Sequence, residues 1–165
     1  MDMRNHVLND LHRAARENPD KLAYSDGEHG LTFGEVSRLS RGLGSYLHGA
    51  GIYKRPVVVF MRKSPEEVAA FFGVIAGGCF YVPIDEEMPA GRIQLILDNV
   101  RSPLVLCDEH TLAKARDFQL GEGRAVLWAE AAATEPEEAA LREIYEKAID
   151  TDPIYIVFTS GSTGI

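Results

Sequence analysis

The sequence predicts an α/β fold built on an open, mostly parallel, doubly wound sheet, and three observations predict it. The run Val57-Val58-Val59-Phe60-Met61 is continuously apolar and rich in β-branched residues, without alternation, as a strand covered on both faces requires. Further short apolar runs follow it, each separated from the next by a segment of helical period. Capping and glycine signals bracket the helical segments, so strand and helix alternate along the chain instead of grouping by type.

Taken in order, Val7, Leu8, Leu11, Ala14 and Ala15 recur at helical spacing ahead of Asn18-Pro19-Asp20, which predicts a short amphipathic helix ending before Pro19. Leu22-Ala23-Tyr24 and Leu31-Thr32 flank the turn-rich Asp26-Gly27-Glu28-His29-Gly30, the pattern of a small hairpin. Thr32 and Glu35 form a capping box ahead of Val36, Leu39, Leu43, Leu47 and Ala50, and Gly51 stands where a helix C-terminal glycine belongs. After the strand at 57–61, Ser64-Pro65-Glu66-Glu67 supplies an N-cap, a first-turn proline and a capping glutamate. The helix they open carries Val68, Phe71, Phe72 and Ile75 and closes at Gly77-Gly78. The alternation continues through a strand at 79–84, a helix at 92–99, a strand at 104–107, a helix near 112–118 and a strand at 125–128. Residues 134–137 read as a second capping box opening an acidic helix that runs to about Ala148, and a last strand is expected at 154–158.

A chain of 165 residues is long enough for one domain with a core, and 45% hydrophobic with 25% charged residues is the balance of an ordinary folded protein. The formal net charge of -8 is the wrong sign for neutralising nucleic-acid phosphates or adhering to anionic lipid, which argues against a nucleic-acid partner. Cys79 and Cys107 lie in separate apolar runs with neither metal-ligand nor redox spacing, and read as buried reduced thiols. The N-terminus has no apolar signal core and no stretch is long enough to cross a bilayer, so a cytoplasmic protein without membrane insertion is expected. The acidic run at 135–138 reads as a solvated helix face.

The chemistry concentrates at the end. In Tyr155-Ile156-Val157-Phe158-Thr159-Ser160-Gly161-Ser162-Thr163-Gly164 a strand runs straight into a hydroxyl- and glycine-rich loop. Glycines let successive N–H groups turn toward one anion, hydroxyls add donors suited to phosphate oxygens, and the carboxyl end of a strand in an open α/β sheet is where ligands bind. Alone, Ser-Gly-Ser-Thr-Gly would suit a flexible linker; the strand in front of it favours a binding loop. No lysine follows Lys147, which disfavours a Walker A loop, and no strand leads into a Gly-x-Gly-x-x-Gly fingerprint.

This ten-residue stretch resembles the phosphate-loop signature of the adenylate-forming superfamily, which includes acyl-CoA synthetases, luciferases and adenylation domains of peptide synthetases. Two further stretches match in order and spacing: Leu31-Thr32-Phe33-Gly34-Glu35-Val36, and Ala76-Gly77-Gly78-Cys79-Phe80-Tyr81-Val82-Pro83-Ile84-Asp85 followed by Pro89 and Arg92-Ile93. The Tyr-Val-Pro-Ile-Asp form is similar to amino-acid-activating members, both the D-alanine ligases of teichoic acid modification and peptide-synthetase adenylation domains. The resemblance implies a two-step reaction. A carboxylate attacks the α-phosphate of Mg²⁺-bound ATP to give an acyl-adenylate, and the thiol of a phosphopantetheinyl carrier protein then displaces AMP. It further implies that Thr159, Ser160, Ser162 and Thr163 donate hydroxyls to the β- and γ-phosphates, with Gly161 and Gly164 allowing close backbone approach.

The chain ends at Ile165, where the superfamily continues with a proline, a lysine and a glycine. It is therefore expected to be a single partial domain over 1–165, the N-terminal part of the large adenylating domain, cut within the phosphate loop and inactive alone. A strand at 154–158 without its usual neighbours would leave an apolar edge open to self-association. The competing reading is a non-catalytic α/β module that binds a nucleotide or a partner protein.

Three other constellations offer weaker chemistry. Asp85, Glu86 and Glu87 could offer oxygen ligands to Mg²⁺ but read as a solvated turn. His6, His12, His29, His48 and His110 have no paired metal-ligand spacing. Ser160 lacks the Gly-x-Ser-x-Gly elbow of a hydrolase nucleophile.

Overall fold

In the computed structural model, which describes residues 6–158, the first element is helix α1 (Val7–Glu17), capped by His6, whose Nδ1 accepts from the Leu8 N–H at 3.2 Å. Strands β1 (Leu22–Ser25) and β2 (Gly30–Thr32) pair antiparallel as the expected hairpin. Its turn is held by Asp26 Oδ1, which accepts from the Glu28 and His29 N–H groups at 2.9 and 3.0 Å. Helix α2 (Phe33–Gly49) opens with the predicted capping box: the Glu35 N–H donates to Thr32 Oγ1 at 3.3 Å, and the Thr32 N–H donates to Glu35 Oε2 at 2.8 Å. It closes at Gly51, whose φ of +70° lets the Gly51 and Ile52 N–H groups reach back to the His48 and Leu47 carbonyls.

The repeating unit follows: β3 (Pro56–Phe60), α3 (Pro65–Ala76), β4 (Phe80–Pro83), α4 (Ala90–Val100), β5 (Leu104–Cys107), α5 (Leu112–Arg116), β6 (Arg124–Leu127), α6 (Trp128–Ala132) and α7 (Glu138–Lys147). The four strands form one parallel sheet in the order β4-β3-β5-β6. Because side chains alternate along a strand, Val57, Val59, Leu104 and Leu106 join a core with α1, α2, α3 and α6, while Val58, Phe60, Val105 and Cys107 join a second core with α4 and α5. Helices on both faces make the sheet doubly wound, as predicted. Ser102 ties its centre together, accepting from the Val58 N–H at 3.2 Å and donating to the Pro56 carbonyl at 3.0 Å.

Three local expectations differ from what is observed. Trp128, expected to end a strand, begins α6, where its buried side chain joins the first core. The capping box at 134–137 does not form. Helix α7 is preceded by Glu137, which makes no side-chain cap bond, and the Glu137 N–H instead donates to Ser45 Oγ on α2 at 2.9 Å, so a tertiary partner replaces the local one. The segment 154–158 is not a full strand: it makes a single parallel bridge, Tyr81 to Tyr155.

The close approach of α6 to α2 depends on Gly42, where a Cβ would stand 2.2 Å from the Ala132 carbonyl oxygen, whereas a Cβ on Gly49 of the same helix would meet nothing within 4 Å. Gly42→Ala is expected to lower unfolding free energy by about 1–3 kcal/mol through overpacking. Gly49→Ala, gaining helix propensity, is expected to stay within about 1 kcal/mol of the parent or exceed it. Urea unfolding of the two variants checks the pair.

Candidate functional site

The route to the hydroxyl-rich loop is built from stacked rings. On α3, Phe71 stacks on Tyr81 of β4 with centroids 4.3 Å apart, and Tyr81 faces Tyr155 at 5.9 Å. The backbone follows the rings: the Tyr81 N–H donates to the Ile154 carbonyl at 3.0 Å, and the Ile156 N–H donates to the Tyr81 carbonyl at 2.9 Å. Tyr155 therefore takes a fifth, parallel position beside β4, with the segment 154–156 running in the same direction as that strand. Only one side of this segment is paired, and its five residues are 37–56% exposed, so it is less than the strand expected. The expected phosphate-binding residues Thr159, Ser160, Gly161, Ser162, Thr163 and Gly164 lie outside the described residues.

The carboxyl edge beside this segment is a web of charged loops. Asp108, after β5, accepts from the Arg62 N–H at 2.9 Å and the Thr111 N–H at 2.8 Å, and Thr111 Oγ1 donates to the Phe60 carbonyl at 2.5 Å. Burial works against the Asp108 carboxylate, yet these backbone donors hold its pKa below the ordinary value. After β4, Asp85 accepts from the Glu87 N–H at 2.9 Å and pairs with Lys63 at 3.1 Å, and Lys114 Nζ donates to the Glu86 carbonyl. Asp85 is thus taken up by a turn and an ion pair. Among the histidines, His29 is engaged by Glu66 at 2.9 Å and Asp26 at 3.1 Å. Both cysteines are buried free thiols, and burial pushes Cys107 up to about 12.

Three participants at this edge were not singled out as site residues from the sequence. Asp108 and Thr111 carry a legible signal, since Asp-x-x-Thr after a strand is a side-chain turn pattern. Glu67 carries none: its pKa is pushed up to about 7 by burial and by Asp85 and Asp108, against the opposing pull of Lys63. Those partners come from the loops after β3, β4 and β5, which only the fold assembles.

Residues 11–165 match the family model described as AMP-binding enzyme. The chain belongs to the AMP-binding enzyme family. It is 34% identical over 152 residues to Nonribosomal peptide synthetase 5 of Gibberella zeae, covering 92% of this chain and 1% of that protein. It is 31% identical over 159 residues to the D-alanine--D-alanyl carrier protein ligase of Staphylococcus aureus, covering 96% of this chain and 30% of the ligase. Among solved structures, this family member resembles the nonribosomal peptide synthetase FmoA3 in its alpha-methyl-L-serine-AMP bound form, with a TM-score of 0.75 and 24% identity over 92% of this chain and 16% of that one. It also resembles VinN in complex with L-aspartate, with a TM-score of 0.72 and 20% identity over 94% of this chain and 44% of VinN. These structural likenesses confirm the N-terminal part of the adenylate-forming fold. No helix among the described residues is long and apolar enough to cross a membrane.

The raised Glu67 midpoint has a testable sign. The folded chain keeps a proton that the unfolded chain releases, so Glu67 costs stability as pH rises from the ordinary carboxylate range through about 7. With solvent screening of a partly exposed group, the loss is roughly 1 kcal/mol. Glu67→Gln is expected to flatten the fall in melting temperature between about pH 5 and pH 8, and a carboxyl-carbon NMR titration should place the parent midpoint near 7.

Proposed function

We propose that this chain is the N-terminal segment of a larger ATP-dependent amino-acid adenylating ligase, one that forms an aminoacyl-AMP and passes the aminoacyl group to a phosphopantetheinyl carrier protein. The single observation that carries the reading is the family match, which extends through the hydroxyl- and glycine-rich stretch following the Tyr155 bridge. Support for the amino-acid class comes from the relatives' names, and support for a partial domain comes from the shares covered, 1% and 30% of the two curated relatives.

In this reading a carboxylate oxygen of the amino acid attacks the α-phosphorus of ATP, and the bond to pyrophosphate breaks. The thiol sulfur of the carrier then attacks the acyl carbon and AMP leaves with the electron pair. Thr159, Ser160, Ser162 and Thr163 would orient the β- and γ-phosphates through their hydroxyls, with Gly161 and Gly164 allowing backbone N–H groups to approach. Their contribution is positioning and charge stabilisation. Mg²⁺ would enter as part of the ATP complex. The reaction belongs in the cytosol, where ATP is supplied, and two buried free thiols accord with that compartment.

The test is amino-acid-dependent ATP–pyrophosphate exchange, measured on the protein extended through its reading frame and on residues 1–165 alone. Exchange by the extended protein and none by the shorter chain is the expected result. Absence from both, with tight Mg-ATP binding by 1–165, would replace the ligase with a self-sufficient nucleotide-binding module. In the extended protein, Ser160→Ala and Thr163→Ala are each expected to raise the KM for ATP roughly tenfold, the worth of a charge-assisted hydrogen bond, with the melting temperature unchanged.

A further inference from the structure

A cavity of about 620 Å³ lies between α1, α2, the end of α3 and α7, within the size range of small-molecule sites. It meets the sheet at Gly78 and Cys79, which precede β4, and at residues 152–154, which precede the Tyr155 bridge. It therefore adjoins the amino-terminal ends of these segments, whereas the hydroxyl-rich loop follows the carboxyl end. Part of its wall is apolar, from Leu8, Ile75, Leu141 and Ile144.

Its charge is unlike that of the chain as a whole. Arg16 from α1, Arg38 and Arg41 from α2, and Arg142 from α7 all line it. Of the two lining carboxylates, Glu138 is paired with Arg41, and Asp152 is held 3.0 Å from Lys54, which is not part of the lining. Arg38 has Glu35 near it on its own helix. Arg16 and Arg142 are in no ion pair among the described residues. His6 and His12 complete the polar lining. Burial lowers both of their pKa values; Arg41 and Arg16 lower His12 further, while at His6 the lowering by His12 is opposed by Asp152. A chain of net charge -8 has thus gathered cations around one partly apolar cavity. A cleft lined by cations concentrates anions, and guanidinium groups suit carboxylate and phosphate oxygens.

We propose that this cavity binds a small organic anion, a carboxylate or phosphate head on an apolar body, with Arg16 and Arg142 supplying the uncompensated charge. The inference does not rest on the adenylation reading, and its experiment reads the cavity directly. Phenyl phosphate and benzoate are titrated into the full chain, with benzyl alcohol as the neutral mimic, while the ring signals of His6 and His12 are followed by NMR. At least one anion is expected to shift both signals saturably, to raise the His12 midpoint, and to bind more tightly as pH falls through the histidine midpoints. Benzyl alcohol is expected to leave them unmoved, and the Arg16→Gln/Arg142→Gln variant to bind at least about tenfold more weakly, the loss expected for charge-assisted contacts. Histidine signals that do not respond, a neutral mimic that shifts them equally, or unchanged binding by the double variant would each overturn the proposal. Should the double variant fail to fold, the comparison of charged and neutral probes on the unaltered chain decides.

Discussion

The burial of β3 on both faces is the constraint on which the rest of the structure depends. Val57, Val58 and Val59 are fully buried and Phe60 nearly so, which is achievable only with strands on either side and helices above and below. The pleat sends Val57 and Val59 to one core and Val58 and Phe60 to the other, so one short run of residues organises two hydrophobic layers. Moving that register by one residue would exchange the two sets, and the branched side chains would meet layers shaped for their neighbours.

A parallel sheet also decides where chemistry can sit. Every strand ends at the same edge, so the loops after β3, β4 and β5 converge there and are tied together by Asp108, Thr111 and Lys114. The Tyr155 bridge brings the chain to that edge in the same direction as β4. The sequence that follows is rich in hydroxyls and glycines, residue types that suit phosphate oxygens, and the family match extends through it.

Most elements were legible because their signals are local. Thr32 and Glu35 are three residues apart on one turn, and Ser64 accepts from the Glu67 N–H at 3.2 Å across the same spacing, so both helix starts can be read without knowing the fold. The branched runs at 57–61 and 104–107 likewise announce buried strands. The failures share one cause, which is that a distant partner, present or missing, overrode the local pattern. At 134–137 the local capping pattern lost to Ser45 on α2. Trp128 left the strand pattern because a buried place was available in the helical layer. At 154–158 the apolar run had a neighbour on one side only.

The sequence by itself determined the class of fold, the order of strands and helices, the caps that begin α2 and α3, and the stretch 155–164 that identifies the family, because each is written in residues close along the chain. Tertiary structure alone decided the order β4-β3-β5-β6, the start of α6 at Trp128, the lone bridge at Tyr155 and the surroundings of Glu67. It also decided that cations from α1, α2 and α7 would line one cavity. These depend on groups dozens of residues apart, and their energies arise from burial and shared electric fields that exist only once the layers have packed.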